Sequence, residues 1–316
     1  MGREAPPRVG VACSGGRDSM ALLHATVRAA VPLGLEVCAL HVHHGLLPQA
    51  DAWWRALERR CRHWHRAGWP VAFCGARVPG RPAPGDSVEA WARRERYRAL
   101  SELARGQGIT LVLLAHHRRD QAETVLLQAL RGAGAPGLSA MPRRVVREGI
   151  TWARPWLDRP REAIDAYVRR HRLAPVEDPS NADTRYARNR LRATVWPAFA
   201  AAFPQAEVAL AASATRMQEA AQCLVELAQI DATTVLGEGA LQVEPWLALS
   251  AARRANLLRH WSGCWGAAGL PETLLQRLLD ELPTARTGNR WPAPGGWLLL
   301  RRGQLRFEAL APSLSE

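Results

Sequence analysis

The sequence predicts an α/β fold: a doubly wound parallel sheet, followed by a helical linker and a smaller C-terminal α+β domain. In the first half, short apolar runs alternate with segments whose apolar residues recur at helical spacing. From about Pro197 the chain becomes alanine-rich, and near its end two short apolar runs flank a Gly turn. We therefore divide the chain into an α/β domain (1–197), a helical linker (198–239) and a small C-terminal domain (240–316).

Glycines, prolines and apolar spacing delimit each element of the first domain. Gly15-Gly16 separates the first strand from the first helix, and Pro32 ends that helix. Asp86-Ser87 is a good N-cap for the third helix, and Pro160 suits the N1 position of the last one. The predicted strands are 8–13, 35–42, 71–78, 109–115 and 151–153. The predicted helices are 18–31, 51–66, 87–105, 120–131 and 160–171.

The remainder of the chain predicts a long helix and a compact α+β unit. Alanine-rich residues 198–232 predict one connecting helix, with Pro204 near its start. A strand at 241–243 precedes helices 250–261 and 271–282. The last two runs, 297–301 and 304–308, predict a hairpin that turns through Arg302-Gly303.

Charge and cysteine content narrow the function classes. The chain has 42 basic and 29 acidic residues, a net charge of +13, and every basic residue is arginine. Such an excess favours a polyanionic partner, and the lack of lysine excludes Schiff-base and P-loop lysine chemistry. The six cysteines include no C-x-x-C pair, so neither a disulfide framework nor a cysteine-bound metal is expected. No apolar run reaches the roughly 18 residues of a membrane helix. We expect a cytoplasmic protein without a membrane partner.

The segment Ser14-Gly15-Gly16-Arg17-Asp18-Ser19 lies between the first strand and the first helix. Two glycines let backbone amides approach a phosphate, the helix N-terminus adds positive charge, and the serines add hydroxyl donors. The segment differs from a Walker A loop and from G-x-G-x-x-G. It resembles the S-G-G-x-D-S signature of the ATP-pyrophosphatase (PP-loop) superfamily. That resemblance implies that the loop holds the pyrophosphate part of ATP while AMP is transferred to a carbonyl oxygen.

Further motifs follow the loop in a fixed order, and together they resemble the tRNA(Ile)-lysidine synthase family over about residues 8–197. These motifs are His41-Val42-His43-His44-Gly45-Leu46, Ala92-Arg93-Arg94-Glu95-Arg96-Tyr97, Ala115-His116-His117-Arg118-Arg119-Asp120-Gln121-Ala122-Glu123-Thr124, Glu177-Asp178-Pro179-Ser180-Asn181-Ala182-Asp183 and Tyr186-Ala187-Arg188-Asn189-Arg190-Leu191-Arg192. The C-terminal part is similar only in outline to that family's small substrate-binding domain.

The resemblance implies a reaction. ATP, with Mg²⁺, would adenylate the oxygen on carbon 2 of the wobble cytidine in a CAU anticodon of tRNA(Ile). The ε-amine of free L-lysine would then displace AMP to give lysidine. The sequence leaves a homodimer open.

The resemblance also implies site residues. Asp120 and Glu123 share one face of a helix and are expected to bind the lysine amine or Mg²⁺, with Asp120 the candidate for proton removal. The alternative is an acidic pair that only complements the helix dipole. The catalytic set is Asp18, His116, Asp120 and Glu123. ATP is assigned to Ser14, Gly15, Gly16, Arg17, Asp18, Ser19 and His44, and Mg²⁺ to Asp18 and Asp120. Substrate is assigned to Arg93, Arg96, Asp120, Glu123, Arg188, Asn189 and Arg192.

Several side chains keep two interpretations. The histidines at the ends of two strands suit either the nucleotide and reacting base or a metal cluster. The arginines of the Arg188–Arg192 run suit phosphate contact or a solvated surface. Arg254, Arg259 and Trp261 suit either tRNA contact or a packed helix with an exposed basic face.

Three rival functions remain at this stage. Another PP-loop tRNA enzyme, such as a thiolase, usually needs a pair of catalytic or cluster-binding cysteines, and the sequence contains no suitable pair. A small-molecule amidating synthetase would need a glutaminase half. A catalytically inactive RNA-binding protein is disfavoured by the intact Asp18, Asp120 and Glu123.

Overall fold

The computed structural model describes residues 6–83, 85, 87–176, 178–265 and 269–310. Asp86 of the predicted N-cap and Glu177 of the fourth motif lie outside them. Contacts between Cα atoms divide the chain into two compact units, Met1–Gln218 and Glu219–Glu316. The boundary between the two units falls inside the predicted 198–239 linker. The three-part domain division stays a prediction.

The first unit is a six-stranded sheet of order β3-β2-β1-β4-β6-β5, in which only the β5–β6 pair is antiparallel. Its strands are β1 (Arg8–Ala12), β2 (Glu36–His43), β3 (Val71–Arg77), β4 (Leu111–Leu113), β5 (Arg144–Arg147) and β6 (Ile150–Ala153). Its helices are α1 (Arg17–Ala30), α2 (Ala50–Arg66), α3 (Val88–Gly106), α4 (Arg118–Ala129), α5 (Ala135–Leu138), α6 (Arg161–Arg170), α7 (Ala187–Arg190) and α8 (Trp196–Ala202).

Helices cover both faces of this sheet, as the continuous apolar strands require. Alternate residues of β1 and β2, such as Val11 and Val37, pack with Leu23 of α1 in one buried cluster. The intervening residue Leu40 packs with Leu100 of α3 in a second cluster on the other face. The predicted doubly wound α/β class is therefore confirmed.

Helix α9 (Ala206–Val235) precedes an α+β arrangement in the second unit. The antiparallel sheet has the order β7-β8-β11-β10-β9. Its strands are β7 (Leu236–Gly237), β8 (Ala240–Gln242), β9 (Arg290–Ala293), β10 (Gly296–Arg301) and β11 (Gln304–Ala309), and its helices are α10 (Val243–Leu247), α11 (Ala251–Ser262) and α12 (Glu272–Glu281). Arg302 and Gly303 form the predicted turn with φ of 48° and 74°, the conformation that a two-residue hairpin favours.

Several predicted boundaries were wrong. The single helix predicted over 198–232 is two helices, α8 and α9, interrupted at Phe203-Pro204 because proline lacks an amide hydrogen. Pro160 is the N-cap of α6 and not its N1 residue. Strands β5, β7 and β9 were missed, because each has only two to four residues and includes arginine or glycine in place of a continuous apolar run. No helix in the described part of the chain is long and apolar enough to cross a membrane.

Candidate active site

The strand order creates one crevice at the carboxyl edge of the parallel sheet. The chain moves from β1 outward to β2 and β3 on one side, and β4 lies on the other side of β1. Loops after β1 and β4 consequently diverge at this switch point, where open α/β sheets bind ligands. The two segments that meet there are Ser14–Ser19 and the residues from His116 to Glu123. The fold thus brings together the two motifs on which the ATP and lysine assignments depend.

Gly15 shapes the loop after β1. Its φ is +89°, a conformation that L-residues rarely adopt, and its carbonyl accepts the backbone N–H of Val176 at 2.9 Å. A Cβ added to Gly15 would lie 3.0 Å from Cγ2 of Val176. Any larger residue at this position would therefore be strained and would displace the loop.

The loop presents unpaired donors at the start of α1. Gly16 is the N-cap, and no side chain caps the first amides of the helix. Ser14 Oγ accepts the Gly16 N–H at 3.3 Å and lies 3.1 Å from Ser19 Oγ, which donates to the Gly16 carbonyl at 3.0 Å. An uncapped helix N-terminus with adjacent hydroxyls is an anion site. Arg17 is turned aside, with Nη1 2.8 Å from Asp165 of α6.

Asp120 and Glu123 lie side by side on the first turns of α4 and share one cation. Arg192 Nη2 donates to Asp120 Oδ1 at 2.7 Å, and Arg192 Nε donates to Glu123 Oε1 at 2.8 Å. The Glu123 side chain is fully buried, and its Oε2 has no hydrogen-bond partner among the described residues. Arg192 is itself in a π-helical turn, Leu191–Val195, a distortion that is frequent at functional sites.

His117 connects Asp120 to the loop after β1. Its backbone N–H donates to Asp120 Oδ2 at 3.0 Å, and its Nε2 lies 3.5 Å from Asp120 Oδ2 and 3.8 Å from Asp18 Oδ2. Burial raises the pKa of Asp120, but the imidazoles of His117 and His116 and the guanidinium of Arg192 outweigh it and lower that pKa overall. Asp120 is therefore an ionised carboxylate at neutral pH. Asp18 and Asp120, both assigned to Mg²⁺ in the sequence analysis, face the same imidazole nitrogen.

His116 is neutral at pH 7. Burial, reinforced by Arg154 and other arginines, lowers its pKa to about 4 against the opposing charge of Asp120. Its Nδ1 is buried and has no partner in the described part of the molecule. A neutral imidazole can donate or accept a hydrogen bond, which suits contact with a heterocyclic base.

Arg154 is a buried cation at the carboxyl edge of the sheet to which the sequence analysis assigned no role. It follows β6 directly, is 5% exposed, and donates from Nη1 to the Pro142 carbonyl at 2.7 Å. Its Nε is buried without a partner among the described residues. Its position directly after a predicted strand of the parallel sheet could have indicated that Arg154 lies at this edge, but Arg154 is in none of the motifs.

His44, which follows β2, lies against Arg96 of α3, whereas Arg93 of the same helix lies against Tyr97. Arg96 Nε lies 3.5 Å from His44 Nε2, and burial together with this arginine lowers the pKa of His44 to about 4. The Arg93 guanidinium lies 5.3 Å from the ring centroid of Tyr97. Their assignments to ATP and substrate stay predictions.

Arg188 and Asn189 are held by neighbouring groups. Arg188 Nη2 donates to Thr124 Oγ1 at 2.8 Å. The Asn189 amide donates to the carbonyls of Ser180 and Asp183 at 2.8 and 3.1 Å. Asn189 therefore stabilises the loop of the fourth motif, and its predicted contact with substrate has not been tested.

The histidine metal cluster receives no support from the described ranges. No group of three or more His, Cys, Asp or Glu side chains there could hold a metal ion. His41 instead lies with Nδ1 2.8 Å from the Cys13 carbonyl. In the C-terminal unit, Trp261 is buried and Arg259 binds Glu272 at 3.1 Å, as expected for a packed helix.

Comparisons with known proteins agree with these motifs. The model of a PP-loop domain matches residues 2–199, and that of a TilS substrate binding domain matches residues 241–306. A tRNA(Ile)-lysidine synthase of Ralstonia nicotianae is 45% identical over 96% of the chain, and one of Bordetella pertussis is 41% identical over 88%. The chain spans 65% of the length of the first relative and 87% of the second.

Among solved structures, the U34-tRNA thiolase NcsA from Methanococcus maripaludis with its [4Fe-4S] cluster is similar in fold. The TM-score is 0.57 at 12% identity, and the match covers 69% of this chain and 75% of that one. At this identity the likeness shows the shared fold alone.

Proposed function

The chain belongs to the tRNA(Ile)-lysidine synthase family, and from this premise we propose that it converts the wobble cytidine of a CAU-anticodon tRNA(Ile) to lysidine. Its substrates would be that tRNA, ATP and free L-lysine, and its other products AMP and pyrophosphate. The observation that carries the proposal is the Asp120–Glu123 carboxylate pair, which binds a cation at the same sheet edge as the phosphate loop.

The first step transfers AMP to the cytidine. The oxygen on carbon 2 attacks the α-phosphorus of ATP, and pyrophosphate leaves with the bonding electrons. Backbone amides at the start of α1 and the hydroxyls of Ser14 and Ser19 would hold the departing pyrophosphate. The adenylated oxygen is then a good leaving group.

Asp18 and Asp120 fit the carboxylate contribution to a Mg²⁺ site. Each places an oxygen within 4 Å of the same His117 nitrogen. Magnesium usually takes one or two protein carboxylates, with phosphate oxygens and waters completing its octahedron. When bound there, the ion would offset charge on the triphosphate.

The second step needs a bound lysine whose amine has lost a proton. Asp120 and Glu123 now hold the guanidinium of Arg192, so the pair can bind an ammonium group of the same charge. The bound ammonium first gives one proton to solvent, and the free amine then attacks carbon 2 while AMP departs with the oxygen. The nitrogen still carries a second proton to be lost, and it becomes far more acidic as the bond forms. Asp120 can then accept the proton although its pKa is lowered. We assign neutral His116 to a hydrogen bond with the reacting base.

One reaction tests the proposal. Purified protein is incubated with ATP, Mg²⁺, labelled lysine and a tRNA(Ile) transcript bearing CAU, with a methionine tRNA bearing CAU as the control. We expect AMP release and label in the first tRNA only. Incorporation from sulfide or ammonia, or AMP release without label, would assign another reaction. The homodimer stays a separate prediction, to be measured by sedimentation velocity.

A thiolase is the second candidate and has less support. The described residues contain six free cysteines, and no three metal-binding side chains there form a cluster. The structural neighbour with its [4Fe-4S] cluster is similar in fold, but that likeness gives no support for thiolation chemistry here.

A further inference from the structure

The outer face of the C-terminal sheet differs from its inner face. Alternation along β9, β10 and β11 buries one set of side chains against the helices, including Trp291, Leu298, Leu300 and Leu305. The other face, which we call the basic sheet face, carries Arg290, Trp297, Leu299, Arg301, Arg306 and Glu308.

Cross-strand register places these side chains together. Leu299 pairs with Arg290 on one neighbouring strand and with Arg306 on the other. Trp297 and Leu299 are half-buried and do not pack with the inner core, and the three arginines are exposed. The face is thus a short apolar strip with cations on both sides.

The charge of this face is poorly compensated. The face carries three arginines and one carboxylate, that of Glu308, which the strand register places opposite Trp297. Arg290 forms no ion pair with any described residue, and the closest acidic contacts of Arg301 and Arg306 are at 3.9 Å and 3.8 Å. The positive charge is therefore available to an anionic partner.

The arginines of α11 provide the contrast within the same unit. Arg253 is bonded to the buried Asp231, and Arg259 is bonded to Glu272. Arg254 lies 5.4 Å from the ring centroid of Trp246. These cations already have partners inside the protein, so the basic sheet face is the better anion-binding surface.

Trp297 indicates which kind of polyanion this face binds. The guanidinium of Arg290 lies 5.0 Å from the ring centroid of Trp297. Unpaired bases stack on aromatic rings and guanidinium planes while nearby arginines bind phosphates, whereas a duplex does not expose its base faces. We propose that the basic sheet face binds an unpaired segment of the RNA substrate, an inference that rests on the proposed function.

Binding measurements on the full chain test this inference. The probes are a fluorescein-labelled tRNA(Ile) transcript and a labelled 12-nucleotide oligouridine, titrated at several KCl concentrations. Trp297→Leu should raise Kd for both probes about tenfold, since one stacked base commonly contributes that much. Arg290→Gln should raise Kd several-fold and reduce the salt slope by about 0.7. Arg277→Gln removes an equally exposed charge that pairs with Glu281 and should change Kd less than twofold.

The outcomes separate the two proposals. Wild-type Kd values for both Trp297→Leu and Arg290→Gln, with lysine incorporation by the wild type, would overturn the basic sheet face and leave the function intact. If these variants bind RNA more weakly but the wild type incorporates no lysine, the basic sheet face stands and the proposed function is overturned. If Trp297→Leu lowers the melting temperature, the exposed Arg290→Gln decides. A change in self-association alone would assign the face to a second copy of the chain.

Discussion

Replacing Asp120 with Asn tests the lysine site most directly. The substitution keeps the shape of the side chain and removes its charge. Asp120 accepts two hydrogen bonds, from the His117 backbone N–H at 3.0 Å and from Arg192 at 2.7 Å. An amide has one oxygen and directs its NH₂ group at one of these two donors, so one bond is lost.

Two magnitudes follow from this geometry. A hydrogen bond to a charged group contributes about 1.5–3 kcal/mol, and Asp120 is 11% exposed at the side chain, so solvent compensates little. We expect Asp120→Asn to lower the free energy of unfolding by about 2 kcal/mol. Losing the same kind of bond to a lysine ammonium raises its KM roughly tenfold to 100-fold. Losing the proton acceptor lowers kcat by a further factor of about 100 or more.

The assay follows labelled lysine entering the tRNA at varied lysine and Mg²⁺, with urea unfolding of the same preparation. Asp158→Asn is the matched control, because Asp158 is exposed and contacts only exposed arginines, Arg143 at 3.4 Å and Arg159 at 3.8 Å. A raised lysine KM assigns Asp120 to the amine, whereas a raised Mg²⁺ requirement assigns it to the metal. Activity within a few-fold of wild type, in a folded variant, would refute both assignments.

Three further predictions concern stability and the phosphate loop. Gly15→Ala places a Cβ 3.0 Å from Val176 at φ +89°, so we expect a loss of about 1–3 kcal/mol and a raised KM for ATP in a pyrophosphate-release assay. Arg192→Met leaves fully buried Glu123 without its 2.8 Å partner and should lower the free energy of unfolding in urea by about 2–4 kcal/mol. Adding Glu123→Gln to that variant should restore much of the lost stability. If the two substitutions instead lower stability additively, the pairing is contradicted. Burial lowers the pKa of His24 to about 4, so this histidine takes up its proton first in the unfolded state. Its contribution to stability is complete above about pH 6.5 and is lost towards pH 4, by about 3 kcal/mol. A His24→Gln variant with the same pH slope of stability as the wild type would exclude this contribution.

Local sequence patterns were sufficient to predict the loop after β1 and most strands and helices of the first unit. Ser14–Ser19 could be assigned because strand, glycine turn and helix are contiguous, and a contiguous motif carries its own geometry. The Arg302-Gly303 turn was predicted for the same reason. Short β5 and β9 were missed because their pairing depends on neighbouring strands, which leave little trace in four residues.

Family membership was likewise accessible from sequence, through five motifs in a fixed order, and the comparisons confirmed it. The roles of individual side chains were not. Arg192 was assigned to substrate, but it meets Asp120 across 72 residues of chain and occupies the carboxylates proposed for lysine. That contact joins the π-helical turn Leu191–Val195 to α4, and no local pattern encodes a contact between segments so far apart in the chain.

The sequence by itself determined the kind of chemistry: an anion cradle after the first strand, an acidic pair on a helix, and an excess of arginine. The tertiary structure decided which groups meet. Strand order placed the loops of β1 and β4 at one edge, so that Asp18 and Asp120 face the same histidine. It also paired the arginines of α11 internally and left those of the C-terminal sheet exposed. The physical reason is that charge is a property of each residue, whereas its compensation depends on distance, burial and partners supplied by distant parts of the chain.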